Sequence, residues 1–395
     1  MIQKMSDWKE YKLGEVCSDI NYGYTASANL NAIGPKFLRI TDIVPERINW
    51  ETVPFCEIND VNEKKYKLEK GDIVIARTGA TTGYNAIIKE STNAVFASYL
   101  IRYRVKNKIA NPFYIGYLLK SYEWKGFVQN VMSGSAQPGA NAKQFADFDF
   151  ELPPYQLQDV IVSILSSLDN KIDLLHRQNK TLEQLAETLF RQWFVEEAEE
   201  SWEKNNINSI ASVIQYGYTQ SASEEKVGPK FLRITDIQGG VINWDTVPYC
   251  KINEKEIHKY KLKTGDIVVA RTGASTGENI YLHKPEESVF ASYLIRLQFS
   301  NLYLARFIGL LMRSYEYRGY IEGILSGSAQ PNANASELTS FQVQIPSPEK
   351  LQVFYKKITE LDEKKYSNNN QIKTLTQLRD TLLPKLMSGE VRTKI

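Results

Sequence analysis

Two seven-residue turns carry the densest polar chemistry in the chain: RTGATTG at 77–83 and RTGASTG at 271–277. Each follows an apolar run, IVIA or IVVA, and offers backbone N–H groups, the hydroxyls of Thr78, Thr81 and Thr82 or of Thr272, Ser275 and Thr276, and the guanidinium of Arg77 or Arg271. Such groups suit phosphate oxygens and base edges. Tight turns also use glycine simply to reach positive φ. The turn-forming role is preferred for the glycines, and contact with a ligand for Arg77, Thr81 and Thr82.

Other polar segments come in the same paired form. SGSAQPGANA joins the small residues Ser133 and Ser135 to Gln137 and Asn141, and SGSAQPNANA does so with Ser326, Ser328, Gln330 and Asn334. Small residues allow close backbone approach and side-chain amides can bond adenine bidentately, although a Pro-punctuated loop has the same composition. YGYT, with Tyr22, Tyr24 and Thr25 and again Tyr216, Tyr218 and Thr219, opens a loop that differs between copies, so it is either a recognition loop or a tolerant surface loop. Lys36 and Arg39, like their twins Lys230 and Arg233, are expected in a strand of alternating pattern and could meet phosphates; Arg39 could equally pair with Asp42.

No catalytic set accompanies these groups. Leu152-Pro153-Pro154-Tyr155 imitates the polar-Pro-Pro-aromatic motif of adenine methyltransferases. Leucine cannot accept the hydrogen bond of the target amino group, and the second copy reads Ile345-Pro346-Ser347-Pro348, which suits a junction into a helix. RTGATTG lacks the GK[ST] ending of a phosphate-binding loop, and no glycine-rich cofactor fingerprint or nuclease carboxylate cluster stands out. His176 is expected on a helix face and His258 and His283 in loops, without a second ligand at metal spacing, so no metal site is expected.

These elements are positioned by a chain written twice. GPKFLRITDI at Gly34 recurs letter for letter at Gly228, a shift of 194 residues. VFASYLIR at Val95 returns at Val289, SGSAQP at Ser133 returns at Ser326, and Trp8 has its counterpart in Trp202. Solenoid repeats run to about 20–50 residues, so this period marks a domain duplication. The first part of each copy mixes short β-rich runs such as DIVIAR with Gly, Pro and Asn turns, which predicts an α+β globular domain.

The second part of each copy is rich in Leu, Gln, Glu and Lys, a helical composition. Apolar residues repeat at spacings of four and three through Ile161, Leu165, Leu168, Ile172 and Leu175, then Asn179, Leu182, Ala186, Leu189 and Trp193. That is a coiled-coil seam, and its one polar member, Asn179, is of the type that fixes register at some cost in stability. The second copy keeps Phe354, Ile358, Leu361, Ile372, Leu375 and Leu382 but places Lys365, Asn368 and Arg379 on the seam, so its middle should pack less tightly. About 35 helical residues give a rod of roughly 50 Å, and two such helices in one chain are available to each other.

Bulk properties leave the ligand open. Length favours two or more domains. Lys+Arg 48 against Asp+Glu 46 gives a net charge of +2, which neither requires nor excludes nucleic acid. Cys17, Cys56 and Cys250 form a sparse, odd set without CxxC spacing, which argues for a reducing compartment. The charged start and the absence of an apolar run of about 18 residues predict a soluble cytoplasmic protein with no membrane contact.

The opening WKEYKLGEV, the KGDIVIARTGATTG and TGDIVVARTGASTG turns, the two SGSAQP segments and QLRDTLLPKLMSGEVR near the end, in this order and duplicated, resemble the specificity subunits of Type I restriction-modification systems. The resemblance covers nearly the whole chain. It implies target-recognition domains at 1–154 and 198–346, with long helices at 155–197 and 347–392 packing antiparallel and docking the modification subunits. Its expected partners are double-stranded DNA, two methylation subunits and restriction subunits. S-adenosylmethionine, ATP and Mg would bind on those subunits, and this chain would hold no cofactor and carry no catalysis. Two alike domains about the pseudo-twofold axis of an antiparallel pair imply an interrupted, near-palindromic target. A duplicated coiled-coil adaptor binding protein, and a stand-alone methyltransferase, are the competing readings.

Overall fold

The strands IVIA (Ile73–Ala76) and IVVA (Ile267–Ala270) are buried at every position, because each is central in a sheet with apolar layers on both faces. Alternate side chains of the first serve two cores: Ile73 and Ile75 join Leu13, Tyr103 and Trp124, while Val74 and Ala76 join Leu38, Ile43, Val53 and Phe96. In the computed structural model residues 7–45, 47–133, 139–326 and 332–391 are described. The chain divides into two compact units, Met1–Asp173 with Ile372–Ile395, and Leu174–Gln371.

In the first unit a four-stranded antiparallel sheet runs in the order Cys17–Tyr22, Leu100–Val105, Ile73–Ala76, Asn85–Ile87. Lys36–Leu38 pairs parallel with Ala94–Phe96, and Lys9–Lys12 pairs antiparallel with Asp149–Leu152. The second unit repeats the pattern with Ala211–Tyr216, Leu294–Phe299, Ile267–Ala270 and Asn279–Tyr281, with Lys230–Leu232 beside Ser288–Phe290, and with Glu203–Asn206 beside Gln342–Ile345. Helices complete each unit, giving an α+β fold built twice.

Two long helices, Tyr155–Arg191 and Pro348–Met387, each contribute to both units. The first starts after Pro153-Pro154, whose rings restrict the preceding backbone to extended forms, and it contains neither Gly nor Pro. The second accommodates Pro384 in its last turn and stops at Gly389, which adopts φ +71. Within each unit the two helices run antiparallel. In the first, Arg379 Nη1 donates to Asp169 at 3.2 Å, and Ile161, Leu165, Leu386 and Met387 enter the globular core. In the second, Lys365 pairs with Glu183, while Phe190, Phe194, Phe354 and Ile358 join the core around Trp202 and Phe307.

The seam positions are graded. Ile161, Leu165, Ile172, Leu175, Asn179 and Ala186 are buried, and Leu168, Leu182, Leu189 and Trp193 are half-buried. On the second helix Phe354, Ile358 and Asn368 are buried, whereas Leu361, Ile372, Leu375 and Leu382 are half-buried. Asn368 Nδ2 donates to Asn179 Oδ1 at 2.9 Å, and Asn179 Nδ2 donates to Asn369 Oδ1 at 2.7 Å. All three polar seam residues of the second helix thus meet polar partners on the first, an arrangement that specifies register.

Candidate nucleic-acid interface

In the first unit four separate motifs are tied into one surface. At the end of strand Cys17–Tyr22, Gly23 approaches the Ala97 carbonyl so closely that a Cβ would lie 2.2 Å from its oxygen. Tyr24 then accepts from Ser98, whose N–H lies 2.8 Å from the Tyr24 carbonyl. The guanidinium of Arg77 lies 5.2 Å from the centroid of the Tyr22 ring, and its Nε donates to the Ser98 carbonyl at 3.1 Å. The Tyr22 hydroxyl in turn accepts the N–H of Ala142 at 3.0 Å. The Arg77 carbonyl accepts from Ala140, and Thr78 bridges Gly139. YGYT, FASYL, RTGATTG and the GANA end of the small-residue loop therefore converge on the Arg77–Tyr22 contact.

The second unit repeats the ring and backbone contacts, although its Arg271 Nε makes no hydrogen bond among the described residues. Arg271 lies 5.1 Å from the Tyr216 centroid, the Tyr216 hydroxyl accepts from Ala335 at 3.1 Å, and Thr272 bridges Asn332. A Cβ on Gly217 would lie 2.2 Å from the Ala291 oxygen. Tyr22 and Tyr216 are both 43% exposed, and the arginines beside them are half-buried.

The other sequence candidates divide by where their polar atoms are spent. Gly79 and Gly83 have φ of +75 and +86, and Gly273 and Gly277 have +74 and +90, so these glycines do make the turn. Thr82 and Thr276 are buried, and their hydroxyls donate to the carbonyls of Gly79 and Gly273. Ser275 is buried and accepts from Gln238, whereas Thr81 is half-buried. Asn141 and Asn334 are exposed N-caps whose side-chain oxygens accept from the backbone N–H groups of Gln144 and Glu337. Thr25 and Thr219 are exposed, but Tyr24 and Tyr218 lean on Tyr66 and Tyr260. The Ser133 and Ser326 hydroxyls donate to Asn130 and Gly323 within their own helical turns. Ser135, Gln137, Ser328 and Gln330 lie outside the described residues.

The four cations are bonded within the chain: Lys36 and Lys230 lie on strands as expected, whereas Arg39 and Arg233 fall one residue beyond them, as N-caps of the short helices Ile40–Ile43 and Ile234–Ile237. Lys36 Nζ donates to the Val53 carbonyl at 2.7 Å and sits 4.0 Å from the Phe55 centroid; Lys230 donates to the Trp244 carbonyl. Arg39 makes a fork with Asp42, Nε to Oδ2 and Nη2 to Oδ1, each at 3.0 Å, and Arg233 repeats it with Asp236. These bonds to carboxylate raise both arginines further above their ordinary range. Of the two readings of Arg39, the ion pair is the one formed here. His258 stands in the last turn of helix Glu254–Tyr260 rather than in a loop, because the Asn253 cap starts a helix there. Among the described residues no group of three or more His, Cys, Asp or Glu could hold a metal ion.

Further exposed side chains flank the cluster. Tyr99 and Tyr293 are 57% and 59% exposed on the turn whose carbonyls accept the backbone N–H groups of Arg77 and Arg271. Their signal was the word FASYL, identical in both copies, with a large aromatic placed in a turn. Position 84, directly after the second glycine of the turn, is Tyr84 in one copy and Glu278 in the other, both exposed.

A model of the Type I restriction modification DNA specificity domain matches residues 5–184 and again 199–377. The chain is 23% identical to the Type I restriction enzyme HindI specificity subunit of Haemophilus influenzae, over 98% of this chain and 100% of that protein. It is 25% identical to the MjaIX specificity subunit of Methanocaldococcus jannaschii, over 82% of this chain and 78% of that one. Among solved structures, a Type-I restriction-modification S subunit from M. genitalium shares the fold with a TM-score of 0.60 at 15% identity, covering 100% of this chain and 99% of that one. With the duplicated unit matched once in each copy, the chain belongs to the Type I restriction modification DNA specificity domain family.

Proposed function

We propose that the chain is the DNA-specificity subunit of a Type I restriction-modification complex. It reads a bipartite, near-palindromic target with the Arg77–Tyr22 surface of one unit and the Arg271–Tyr216 surface of the other. The observation that carries the reading is the family match falling once on each copy, each copy presenting the same guanidinium-on-tyrosine cluster. Arginine in a rigid setting contacts base edges or phosphates bidentately, and exposed aromatics beside it contact apolar base surface.

In this reading the chain recognises and does not catalyse. Two methylation subunits dock on the helical segments and bind S-adenosylmethionine, and restriction subunits bring ATP, Mg and cleavage. The complex works in the cytoplasm; among the described residues no helix is long and apolar enough to cross a membrane.

Methylome sequencing of cells carrying the chain with its methylation subunits tests the target, and should return one interrupted motif with half-sites in opposite orientation. Two unrelated half-sites would refute the near-palindrome. A salt series on the purified complex tests the mode of binding, since neutralising phosphates makes affinity fall linearly in log–log form with salt. A flat response would favour the protein-binding adaptor.

A further inference from the structure

RTGATTGY and RTGASTGE are the same turn with two changes, Thr81 to Ser275 and Tyr84 to Glu278. The first change is on the inward side, where Ser275 is buried and bonded to Gln238. The second points outward on an unchanged backbone. The Ala76 N–H donates to the Tyr84 carbonyl at 2.8 Å and the Ala270 N–H to the Glu278 carbonyl at 2.8 Å. The Tyr84 N–H donates to Thr81 at 3.0 Å and the Glu278 N–H to Ser275 at 2.9 Å. Before each, Gly83 or Gly277 packs against Val128 or Ile321, where a Cβ would come within 2.7 Å, which fixes the approach of the turn.

Both side chains are exposed. Tyr84 is 50% exposed, and the Glu278 carboxylate makes no hydrogen bond or ion pair among the described residues. Both stand across the strand pair from the residue preceding the invariant Arg77 or Arg271. The turn thus offers one outward difference beside otherwise matching polar groups.

We propose that Tyr84 and Glu278 are a specificity-determining pair that makes the two half-sites differ at one base pair. The inference rests on the DNA-specificity reading above. A carboxylate only accepts, so it selects an exocyclic amino group, cytosine N4 or adenine N6, and is repelled by phosphate. A tyrosine offers an apolar ring edge to a thymine methyl and a hydroxyl to base acceptors. The half-site read by the unit holding Glu278 therefore presents an amino-bearing base where the other half-site presents thymine or guanine.

The test uses the chain assembled with its methylation subunits and selection from a duplex library randomised in each half-site. In Tyr84→Glu, the preference at one position of the first half-site should move to the amino-bearing base by about tenfold. Glu278→Gln removes the charge without changing shape, and should weaken discrimination at the matching position of the other half by a similar factor. Identical half-sites in the parent complex would overturn the proposal. So would unchanged preferences in both variants, or a loss of affinity uniform across all sequences. If the parent complex selects no bipartite sequence at all, the specificity reading itself fails; if it selects one and the variants leave it unaltered, only this pair is refuted.

Discussion

Replacing Asp169 by alanine should destabilise the first unit by about 3 kcal/mol, and the reason lies in what its carboxylate holds together. Asp169 is 7% exposed on the first long helix, where it accepts from Tyr117 Oη at 2.8 Å and from Arg379 Nη1 at 3.2 Å, with Lys89 Nζ at 3.9 Å. Removing one member of a buried pair typically costs about 3–5 kcal/mol. The Coulombic part is smaller here, because Arg379 retains Asp380 at 2.8 Å and Lys89 retains Asp173 at 3.0 Å. The buried Tyr117 hydroxyl, left without its acceptor, adds about 1–3 kcal/mol. Asp169→Asn keeps an acceptor for that hydroxyl and should cost only about 1 kcal/mol. For a unit of this size the alanine variant corresponds to roughly 6–12 °C in the calorimetric transition of the first unit. Double-mutant cycles with Arg379→Met and Tyr117→Phe should be less than additive by about 1 kcal/mol. A cost below about 1 kcal/mol, or strict additivity with Arg379→Met, would refute the antiparallel contact from which the estimate is built.

Asn179→Leu strands the fully buried Asn368 amide and should cost about 1–3 kcal/mol in urea unfolding, whereas the Asn179→Leu, Asn368→Leu pair should be close to neutral. Gly23→Ala forces a methyl onto the Ala97 carbonyl and should destabilise by about 1–3 kcal/mol in thermal unfolding, with Gly217→Ala behaving alike in its own unit. All three cysteines are buried, which pushes the Cys17 thiol up to about 12 and those of Cys56 and Cys250 up to about 11; a disulfide reagent at neutral pH should modify none until denaturant is added. Burial raises the phenols of Tyr103, Tyr114, Tyr117 and Tyr317 above 10.0, so the folded chain keeps their protons where the unfolded chain loses them. Their contribution is complete below pH 10 and declines above it, so melting temperature should fall through that range while tyrosine ionisation measured by absorbance lags behind.

The duplication, the α+β character of each copy and the existence of long helices were legible, because repeated words and the absence of Gly and Pro are local signals. Burial of Phe190, Phe194 and Asp169 was not, since each lies off the four-three seam and is covered by its globular unit as well as by the facing helix. The division of the chain into units was hidden for the same reason: Leu386 and Met387 belong with Leu13 and Trp124, a pairing that no sequence spacing announces. In the candidate interface the turns and tyrosines could be named from sequence, but their convergence depends on backbone bonds such as Ser98 to Tyr24. The internal spending of Lys36 on the Val53 carbonyl likewise required the fold to bring a distant loop alongside its strand.

The unit 174–371 is continuous in sequence, whereas the other is interrupted by it and closes only with residues after 371. During synthesis at about 5–20 residues per second, some 200 residues must emerge between the two pieces of the interrupted unit, a wait of roughly 10–40 s. The later-encoded unit can thus finish first, while the earlier one holds Ile161 and Leu165 uncovered until Leu386 and Met387 leave the ribosome. Emergence therefore favours folding inside-out, and a chain ended at residue 371 and released from the ribosome would display one finished globule and one with an adhesive apolar face.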